Sequence, residues 1–206
     1  MLTLDITKKL KDFSIDVTLD IGGEIAVLFG PSGAGKTTML NCISGLSKPD
    51  SGRIVLNERV LFQDREQSIA VQKRNIGYLF QDYALFPHMT IKKNITYGMK
   101  DEALVHQLVE VVGIGHLLAS YPHQISGGEK QRAALVRALA TKPDALLLDE
   151  PFSSLDKKTK DECQNELLRL HSIWNIPIIL VTHDYNEAVK LGNRILRMED
   201  GKIINS

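Results

Sequence analysis

The sequence predicts an α/β fold in which helices cover both faces of a mostly parallel sheet. Short apolar segments alternate with helical ones, and the clearest apolar segments are Ile25–Phe29, Ala145–Leu148 and Ile178–Val181. Strands this uniformly apolar are typical of parallel sheets that are buried on both faces. From Ile91 to about Thr141 the chain has little strand pattern and much helical pattern. This change of character favours a helical segment inserted between strands.

The first half of the chain is predicted to be strand-rich. In chain order, we predict strands over Leu2–Thr7, Phe13–Leu19 and Ile25–Phe29, a helix over Lys36–Ile43, a hairpin over Gly52–Leu61 that turns near Asn57, and a strand over Asn75–Phe80. The helix follows a glycine-rich loop that begins where the third strand ends.

The second half alternates helices with two apolar strands. In chain order, we predict helices over Glu102–Val112 and Glu129–Ala140, a strand over Ala145–Leu148, a helix over Lys157–Ile173, a strand over Ile178–Val181, a helix over Tyr185–Leu191 and a hairpin over Arg194–Ile204. Polar motifs follow the strands directly, so they are expected at the carboxyl edge of the sheet, where open α/β folds bind their ligands.

Composition limits the function classes. The 206 residues suit one domain, and 25 basic residues balance 25 acidic ones. A dedicated nucleic-acid binder normally has a basic excess, so we expect no nucleic-acid partner. The two cysteines, Cys42 and Cys163, are too few for a disulfide framework and are expected to be reduced. We see no signal peptide and no apolar run of ~20 residues, and we therefore expect a soluble cytoplasmic protein.

A phosphate-binding loop is the first chemical motif. Residues 30–37 read Gly-Pro-Ser-Gly-Ala-Gly-Lys-Thr and fit the pattern G-x-x-x-x-G-K-[ST]. Glycines allow backbone N–H groups to point at phosphate oxygens, and the helix that follows adds its positive dipole end. Lys36 would then contact the β- and γ-phosphates, and the Thr37 hydroxyl could ligate Mg²⁺. A chance glycine turn is the alternative, but the strand before the loop and the helix after it favour the nucleotide site.

Two adjacent acids follow the strand Ala145–Leu148. Asp149 is suited to hold Mg²⁺ through its water shell, and Glu150 is suited to polarise an attacking water as a general base. An ordinary acidic strand end would look the same, but the phosphate loop in the same chain favours the catalytic interpretation.

A Ser-Gly-Gly-Glu sequence opens the predicted helix that ends at Ala140. Ser126 and Glu129 form a capping-box pattern, so the motif can be explained as a well-capped helix start. The residues Ser126, Gly127 and Gly128 also suit phosphate binding at a helix N-terminus. Since the chain has one lysine-bearing loop, the second surface could contact a nucleotide held by another copy of the chain.

Taken together, these motifs resemble those of ATP-binding cassette (ABC) ATPases over nearly the whole chain. They occur in the order Gly30–Thr38, Gln81, Ile125–Glu129, Leu146–Glu150, Ser154–Asp156 and His183. The resemblance implies a P-loop NTPase (RecA-like) core over about 1–86 and 144–206, with an antiparallel β subdomain, and a helical signature subdomain over about 87–143. The stretch from Phe80 to His88 is similar to the importer branch. More narrowly, the chain looks like the ATPases of molybdate importers.

The resemblance also implies roles for individual residues. Gln81 would contact Mg²⁺ and the attacking water, and His183 would hold the γ-phosphate and orient Glu150. Asp156 would lie at a dimer interface. Nucleotide-binding residues would be Gly30, Pro31, Ser32, Gly33, Ala34, Gly35, Lys36, Thr37 and Thr38, with Ser126, Gly127, Gly128, Glu129 and Asp156 acting on the partner's nucleotide. The metal ligands would be Thr37, Gln81 and Asp149.

Three departures from the family pattern limit what the resemblance implies. Glu129 stands where many members have glutamine, and it still suits a helix N-terminus. The aromatic residue that often lies under the adenine is not obvious, because Phe13 is more easily explained as core. Molybdate-importer ATPases often carry a C-terminal oxyanion-binding domain, whereas this sequence stops at Ser206, and inhibition through such a domain is expected to be missing.

The expected function is ATP binding and hydrolysis with Mg²⁺ in an importer of molybdate or tungstate. The expected partners are a second copy of the chain, membrane permease subunits and, indirectly, an extracellular solute-binding protein, which places the chain at the cytoplasmic face of the cell membrane. Other cargoes remain open, namely sulfate, a polyamine or iron. An exporter, lipoprotein-extraction or division complex is a second alternative. An ATPase acting on DNA or ribosomes is a third, disfavoured by the single cassette and the absence of heptads.

Overall fold

The structure is a computed structural model that describes residues 1–64 and 66–204. The chain forms two compact units. The first comprises Met1–Ile76, Asp144–Asp149 and Asn175–Ser206, and the second comprises Gly77–Pro143 and Glu150–Trp174. None of the helices in the described ranges is both long and apolar enough to cross a membrane.

Strands and helices are numbered along the chain. They are β1 (Leu2–Lys9), β2 (Ser14–Ile21), β3 (Ile25–Phe29), α1 (Lys36–Ser44), β4 (Ser51–Leu56), β5 (Arg59–Gln63), β6 (Gln67–Ser68), β7 (Ile76–Leu79), α2 (Ile91–Thr96), α3 (Glu102–Val111), α4 (Gly127–Ala140), β8 (Ala145–Asp149), α5 (Lys157–Trp174), β9 (Ile178–Thr182), α6 (Tyr185–Leu191), β10 (Arg194–Glu199) and β11 (Lys202–Ile204). Short 3-10 turns lie at Val71–Lys73, Gly115–Leu117 and Pro122–Gln124.

One half of the first unit's sheet is antiparallel. Strand β1 lies between β2 and β4, and β5 and β6 extend the sheet outward from β4. Along β2 the side chains alternate strictly between exposed and buried, which is the pattern of a strand with one solvated face. The β4–β5 hairpin turns at Asn57 and Glu58, both with positive φ (48° and 67°), as a tight hairpin turn requires.

The other half of this sheet is parallel. Strand β3 pairs with β10 on one side and β9 on the other, and β8 pairs with β9. Every residue of β8 and β9 is buried, as the apolar sequences predicted. Strand β11 pairs with β10 antiparallel and with β2 parallel, so it joins the two halves of the sheet. Because β3, β8 and β9 are parallel, their carboxyl ends meet at one edge, and the polar motifs follow there.

Helix α1 is anchored on the parallel half of the sheet. Its buried face packs against β8 and β9 and consists of Met39, Leu40, Cys42, Ile43 and Ser44. The helix ends at Gly45, whose φ of 88° is the left-handed conformation that ends many helices. Beyond the last turn, the guanidinium of Arg74, which is 1% exposed, donates hydrogen bonds to the carbonyl oxygens of Cys42 (3.1 Å) and Ile43 (2.8 Å).

The second unit is mainly helical. Helix α4 packs against α2 and α3, and α3 also packs against α5. The loop before α2 is held by Asn94, which is fully buried. Its amide nitrogen donates to the carbonyl oxygens of Phe86, Met89 and Thr90, each at 3.1 Å, and its amide oxygen accepts from the Phe86 N–H at 2.8 Å.

The predicted elements are present with boundaries shifted by at most two residues. Helix α4 begins at Gly127, two residues before the predicted start, because Ser126 caps it. Strand β2 begins at Ser14 and not at Phe13, which lies half-buried after the turn closed by the Leu10 N–H and the Phe13 carbonyl oxygen. The short strand β6 and the helix α2 were not predicted as separate elements. Both cysteines are buried and free.

Candidate functional site

The loop between β3 and α1 contains glycines at positions where a larger residue would clash with neighbouring atoms or strain the backbone. At Gly30, a Cβ atom would lie 2.2 Å from the carbonyl oxygen of Met198, so this position needs glycine for close approach of two backbones. Gly35 is the N-cap residue just before α1 and has a φ of 99°, in the region that glycine reaches without steric cost. The loop is also held from β10–β11, because the N–H of Gly201 donates to the carbonyl oxygen of Ala34 at 3.1 Å.

The side chain of Lys36 folds back over this loop. Its ammonium donates to the carbonyl oxygens of Gly30 (2.8 Å) and Pro31 (2.7 Å). A cation is therefore held directly over the curled backbone, at the position where the motif requires one for phosphate oxygens. Pro31, Ser32 and Gly33 at the tip of the loop are exposed.

Thr37 and Asp149 meet at the edge of the sheet. The Thr37 hydroxyl donates to a carboxylate oxygen of Asp149 at 2.7 Å, although 112 residues separate them in sequence. Asp149 ends β8 and is 2% exposed. A hydroxyl and a carboxylate are hard oxygen ligands of the kind Mg²⁺ prefers, and Mg²⁺ usually takes one or two protein ligands plus water and phosphate oxygens. These two side chains therefore fit a magnesium ion.

His183 follows β9 at the same edge of the first unit and is exposed. The backbone on either side of it is fixed by polar contacts. The Thr182 hydroxyl donates to Glu187 at 2.6 Å and accepts from the Asp184 N–H at 3.0 Å. Asp184 in turn caps α6 by accepting from the N–H groups of Asn186 and Glu187. His183 thus lies in the short connection between β9 and α6, which these hydrogen bonds hold in place.

Glu150 is the first residue of the segment Glu150–Trp174 of the second unit, and its backbone conformation is uncommon. Its φ is 51°, a left-handed conformation that is uncommon for a residue other than glycine. Its carbonyl oxygen accepts from the Gln131 amide at 2.9 Å and from the Ser153 hydroxyl at 3.1 Å. The buried side chain of Gln131 on α4 therefore fixes the backbone that carries the predicted general base.

The capping box at the start of α4 is present. The Ser126 hydroxyl oxygen accepts from the Glu129 N–H at 3.4 Å, and the Glu129 carboxylate accepts from the Ser126 N–H and hydroxyl, both at 2.8 Å. The N–H and then the hydroxyl of Ser126 hold the pKa of Glu129 below its ordinary value. Ser126 and Gly127 are exposed, so this capped helix start also faces solvent.

Asp156 has a local partner in the second unit. Its carboxylate accepts from the Thr159 hydroxyl at 2.6 Å and from the Thr159 N–H at 3.1 Å, at the start of α5. These two contacts lower the pKa of Asp156. The side chain is exposed and its interface role stays a prediction.

The predicted site residues divide between the two units. The first unit contains Gly30–Thr38, Asp149 and His183, and the second contains Gln81, Ser126–Glu129, Glu150 and Asp156. Gln81 is exposed in a turn after β7. Within the first unit, the fold brings Thr37 and Asp149 into direct contact.

Sequence reasoning missed the residues that hold these motifs in place. Gln131 and Arg137 have no distinctive pattern of their own. Tyr83 and Ser154 lie in stretches that carry the family resemblance, but the resemblance implied no role for either side chain. One available signal was that Gln131 is polar at a position on the buried side of an amphipathic helix, and buried polar side chains usually have a hydrogen-bonding task.

Comparisons with known proteins agree with this geometry. The sequence model of the family described as ABC transporter matches residues 11–153. The chain is 44% identical over 205 residues to the molybdenum import ATP-binding protein ModC of Haemophilus influenzae, covering 98% of this chain and 58% of that protein. It is 45% identical over 207 residues to the protein of the same name from Pasteurella multocida, covering 98% of this chain and 59% of that protein. The chain thus spans less than two thirds of these relatives.

Solved structures show the same fold. A dimeric ATP-binding cassette in a post-hydrolysis state, bound to ADP and Pi, superposes with a TM-score of 0.85 and 30% identity over 100% of this chain and 97% of that chain. A second dimeric structure, of a bacterial ABC transporter cassette, gives a TM-score of 0.86 and 31% identity over the same shares of the two chains. The family match, the P-loop NTPase fold and the paired Thr37 and Asp149 lead to one conclusion: this chain belongs to the ABC transporter family.

Proposed function

We propose that the chain is the ATP-binding and ATP-hydrolysing subunit of an ABC importer that takes up molybdate or tungstate. The observation that carries the ATPase assignment is the first unit's site, where Lys36 covers the glycine loop and Thr37 contacts Asp149. The name shared by the relatives, molybdenum import ATP-binding protein, supports the cargo.

Nucleotide binding begins with an exchange of partners at Lys36. Its ammonium now donates to two loop carbonyl oxygens, and the β- and γ-phosphates of ATP would replace them as partners. Phosphate oxygens carry formal negative charge, so each new hydrogen bond would join two opposite charges and be stronger than the present bonds from the ammonium to neutral carbonyls. The loop N–H groups and the start of α1 add further donors.

Thr37 and Asp149 would hold Mg²⁺, with Gln81 as the additional ligand that the family resemblance implies. When bound, the ion neutralises charge that develops on the phosphate oxygens during transfer. The task of the chain is to present the two oxygen ligands close together and to keep the Asp149 carboxylate buried beside Thr37.

Glu150 would take a proton from the attacking water, and His183 would hold the γ-phosphate and orient that carboxylate. A general base must be held within hydrogen-bonding reach of the proton it removes. The structure supports this role through the backbone of Glu150, which Gln131 and Ser153 fix in a left-handed turn. His183 is similarly placed on a braced connection after β9.

A second copy of the chain would complete the site. Ser126, Gly127 and Gly128 form an exposed helix start with N–H groups suited to a phosphate, and Asp156 would lie at the same interface. The dimeric state of the two matching cassettes supports this arrangement. Permease subunits and, through them, an extracellular binding protein would be the further partners, with the chain at the cytoplasmic face of the membrane.

Phosphate release from MgATP by the purified chain tests the ATPase assignment. We expect Lys36→Ala to abolish nearly all turnover and to weaken nucleotide binding, because it removes the cation over the loop. The matched control is Lys158→Ala on α5, whose side chain is 86% exposed. Turnover of Lys36→Ala equal to that of the control would reject the phosphate loop as the site.

Reconstitution in liposomes with the permease and its binding protein tests the cargo. We expect molybdate or tungstate to stimulate ATP hydrolysis, with sulfate weaker. Stimulation by an amino acid, a sugar or a polyamine, with none by either oxyanion, would reject the cargo while leaving the ATPase assignment intact.

A further inference from the structure

Ser154 lies at the meeting point of three segments of the second unit. Its N–H donates to the amide oxygen of Gln131 on α4 at 3.0 Å. Its hydroxyl shares a hydrogen bond of 2.7 Å with the hydroxyl of Tyr83. Its carbonyl oxygen lies so close to Gly128 that a Cβ atom there would be 3.0 Å away. One exposed serine therefore contacts the segment after Gln81, the body of α4 and the start of α4.

The segment that carries Tyr83 is held in a strained shape. Tyr83 and Ala84 are consecutive left-handed residues, with φ values of 66° and 43°. Two such residues in succession without glycine need surrounding contacts to keep them there. Arg137 on α4 supplies these contacts, because its guanidinium donates to the carbonyl oxygens of Tyr83 (2.8 Å) and Ala84 (2.7 Å) and lies 5.6 Å from the centre of the Phe86 ring.

The same network reaches Glu150. The side-chain amide of Gln131 makes two hydrogen bonds that link Glu150 to Ser154. Its nitrogen donates to the Glu150 carbonyl oxygen, and its oxygen accepts from the Ser154 N–H. A displacement of Ser154 would therefore shift the Gln131 amide, and with it the hydrogen bond that holds Glu150 in its left-handed conformation. Helix α4 provides the rigid support, because Gln131 and Arg137 lie on it six residues apart.

We propose that Tyr83 and Ser154 are positioning residues for ATP hydrolysis, and that their paired hydroxyls couple the segment after Gln81 to the turn that carries Glu150. The proposal rests on the proposed function of the chain. In this proposal neither hydroxyl acts on the nucleotide directly. Its role is to make the two segments move together, so that the general base is in place when the segment after Gln81 has its strained shape.

Single-atom substitutions test this role. Tyr83→Phe and Ser154→Ala each remove one hydroxyl and leave the backbone contacts of both residues intact. We expect each to lower kcat for MgATP about three- to tenfold, the size expected for one neutral hydrogen bond, with KM unchanged. The double variant should match the single variants, because the same bond is lost in all three. Ser154→Thr keeps a hydroxyl and should restore kcat.

Two control variants remove hydroxyls elsewhere in the second unit. Tyr121→Phe changes a tyrosine that stacks on His123, and Ser172→Ala removes the hydroxyl that donates to the Arg169 carbonyl oxygen near the end of α5. Both should keep wild-type kcat. The midpoint of thermal unfolding should be the same in all variants, which separates positioning from a general loss of stability.

The outcomes are distinct. Turnover of Tyr83→Phe and Ser154→Ala within twofold of wild type would overturn the proposal, and so would additive losses in the double variant or a rise in KM with kcat unchanged. A wild-type chain without ATP hydrolysis would instead overturn the proposed function, and the positioning role with it.

Discussion

Glu150, the proposed general base, has a backbone conformation that its neighbours hold in place. The sequence places a carboxylate after Asp149, but a left-handed φ of 51° determines where that side chain points. The conformation is stabilised by hydrogen bonds from Gln131 and Ser153 to its carbonyl oxygen. A residue in such a strained position persists only when its neighbours hold it there.

Replacing Glu150 with glutamine should separate binding from hydrolysis. Glutamine keeps the size of the side chain and cannot accept a proton as a base at neutral pH. We expect turnover to fall ~10²–10⁴-fold, the usual loss for a general base, while MgATP affinity is retained. Glu162→Gln on the exposed side of α5 is the control, and steady-state phosphate release with nucleotide titration is the measurement. Unchanged turnover in Glu150→Gln would mean that another residue is the base.

For individual residues, the sequence predicted the side chains of the candidate site better than the residues that hold them in position. Lys36, Thr37 and Asp149 follow strands whose apolar patterns indicate a parallel sheet, so a common edge could be expected for them. The pairing of Tyr83 with Ser154 joins residues 71 positions apart that neither periodicity nor composition links. Such contacts depend on helix packing, which a local pattern does not specify.

Among the elements, helix α1 depends on its C-terminal anchor. Three carbonyl oxygens, those of Cys42, Ile43 and Ile69, accept hydrogen bonds from the buried Arg74 guanidinium. Burial lowers the pKa of Arg74, and the negative end of the helix dipole compensates part of the cost of burying this cation. Gly45 leaves room for the guanidinium, because a Cβ there would lie 2.5 Å from the Arg74 Nε atom.

Arg74→Met should therefore loosen the helix that follows the phosphate loop. The substitution keeps an unbranched apolar stem but removes the guanidinium, so the last carbonyl groups of α1 lose these donors. We expect the free energy of unfolding to fall by about 1–3 kcal/mol, measured by urea unfolding. Arg53→Met, at an exposed position of β4, is the matched control and should change stability little. Equal stabilities of the two variants would show that the anchor contributes nothing.

The start of α4 should make stability depend on pH through Glu129. Its pKa in the folded chain lies below the ordinary value of 4.5, so the carboxylate contributes stability above that value and loses it as pH falls through the folded pKa. We expect the free energy of unfolding of Glu129→Gln to be lower than that of wild type at neutral pH, and the two to converge in acid. Urea unfolding over a pH series measures this difference, and a difference that stays constant with pH would contradict it.

Most elements could be predicted because their patterns are local. The β4–β5 hairpin turns at Asn57 and Glu58, as predicted, since Asn tolerates the left-handed turn that a tight hairpin needs. The two-residue strand β6 was missed because nothing in Gln67 and Ser68 favours a strand. It exists through pairing with β5, which is a tertiary effect.

At the scale of the whole molecule, strand order could not be predicted. The last strand, β11, pairs with β2 near the start of the chain and closes the gap between the antiparallel and parallel halves of the sheet. Two residues of the β10–β11 hairpin thereby support the phosphate loop, namely Gly201 and Met198, which lies beside Gly30. Local sequence patterns identify the individual strands but do not specify which distant strands pair.

We expect MgATP to join two copies of the chain through Lys36 on one and Ser126 on the other. Light scattering during size-exclusion chromatography of Glu150→Gln with MgATP measures this dimer, because slow hydrolysis should let it accumulate. We expect a mass near twice that of the 23.0 kDa chain. Adding Ser126→Arg should return the variant to a monomer that still binds MgATP. A monomer in Glu150→Gln with saturating MgATP, or loss of nucleotide binding by Ser126→Arg, would show that Ser126 does not act on a partner's nucleotide.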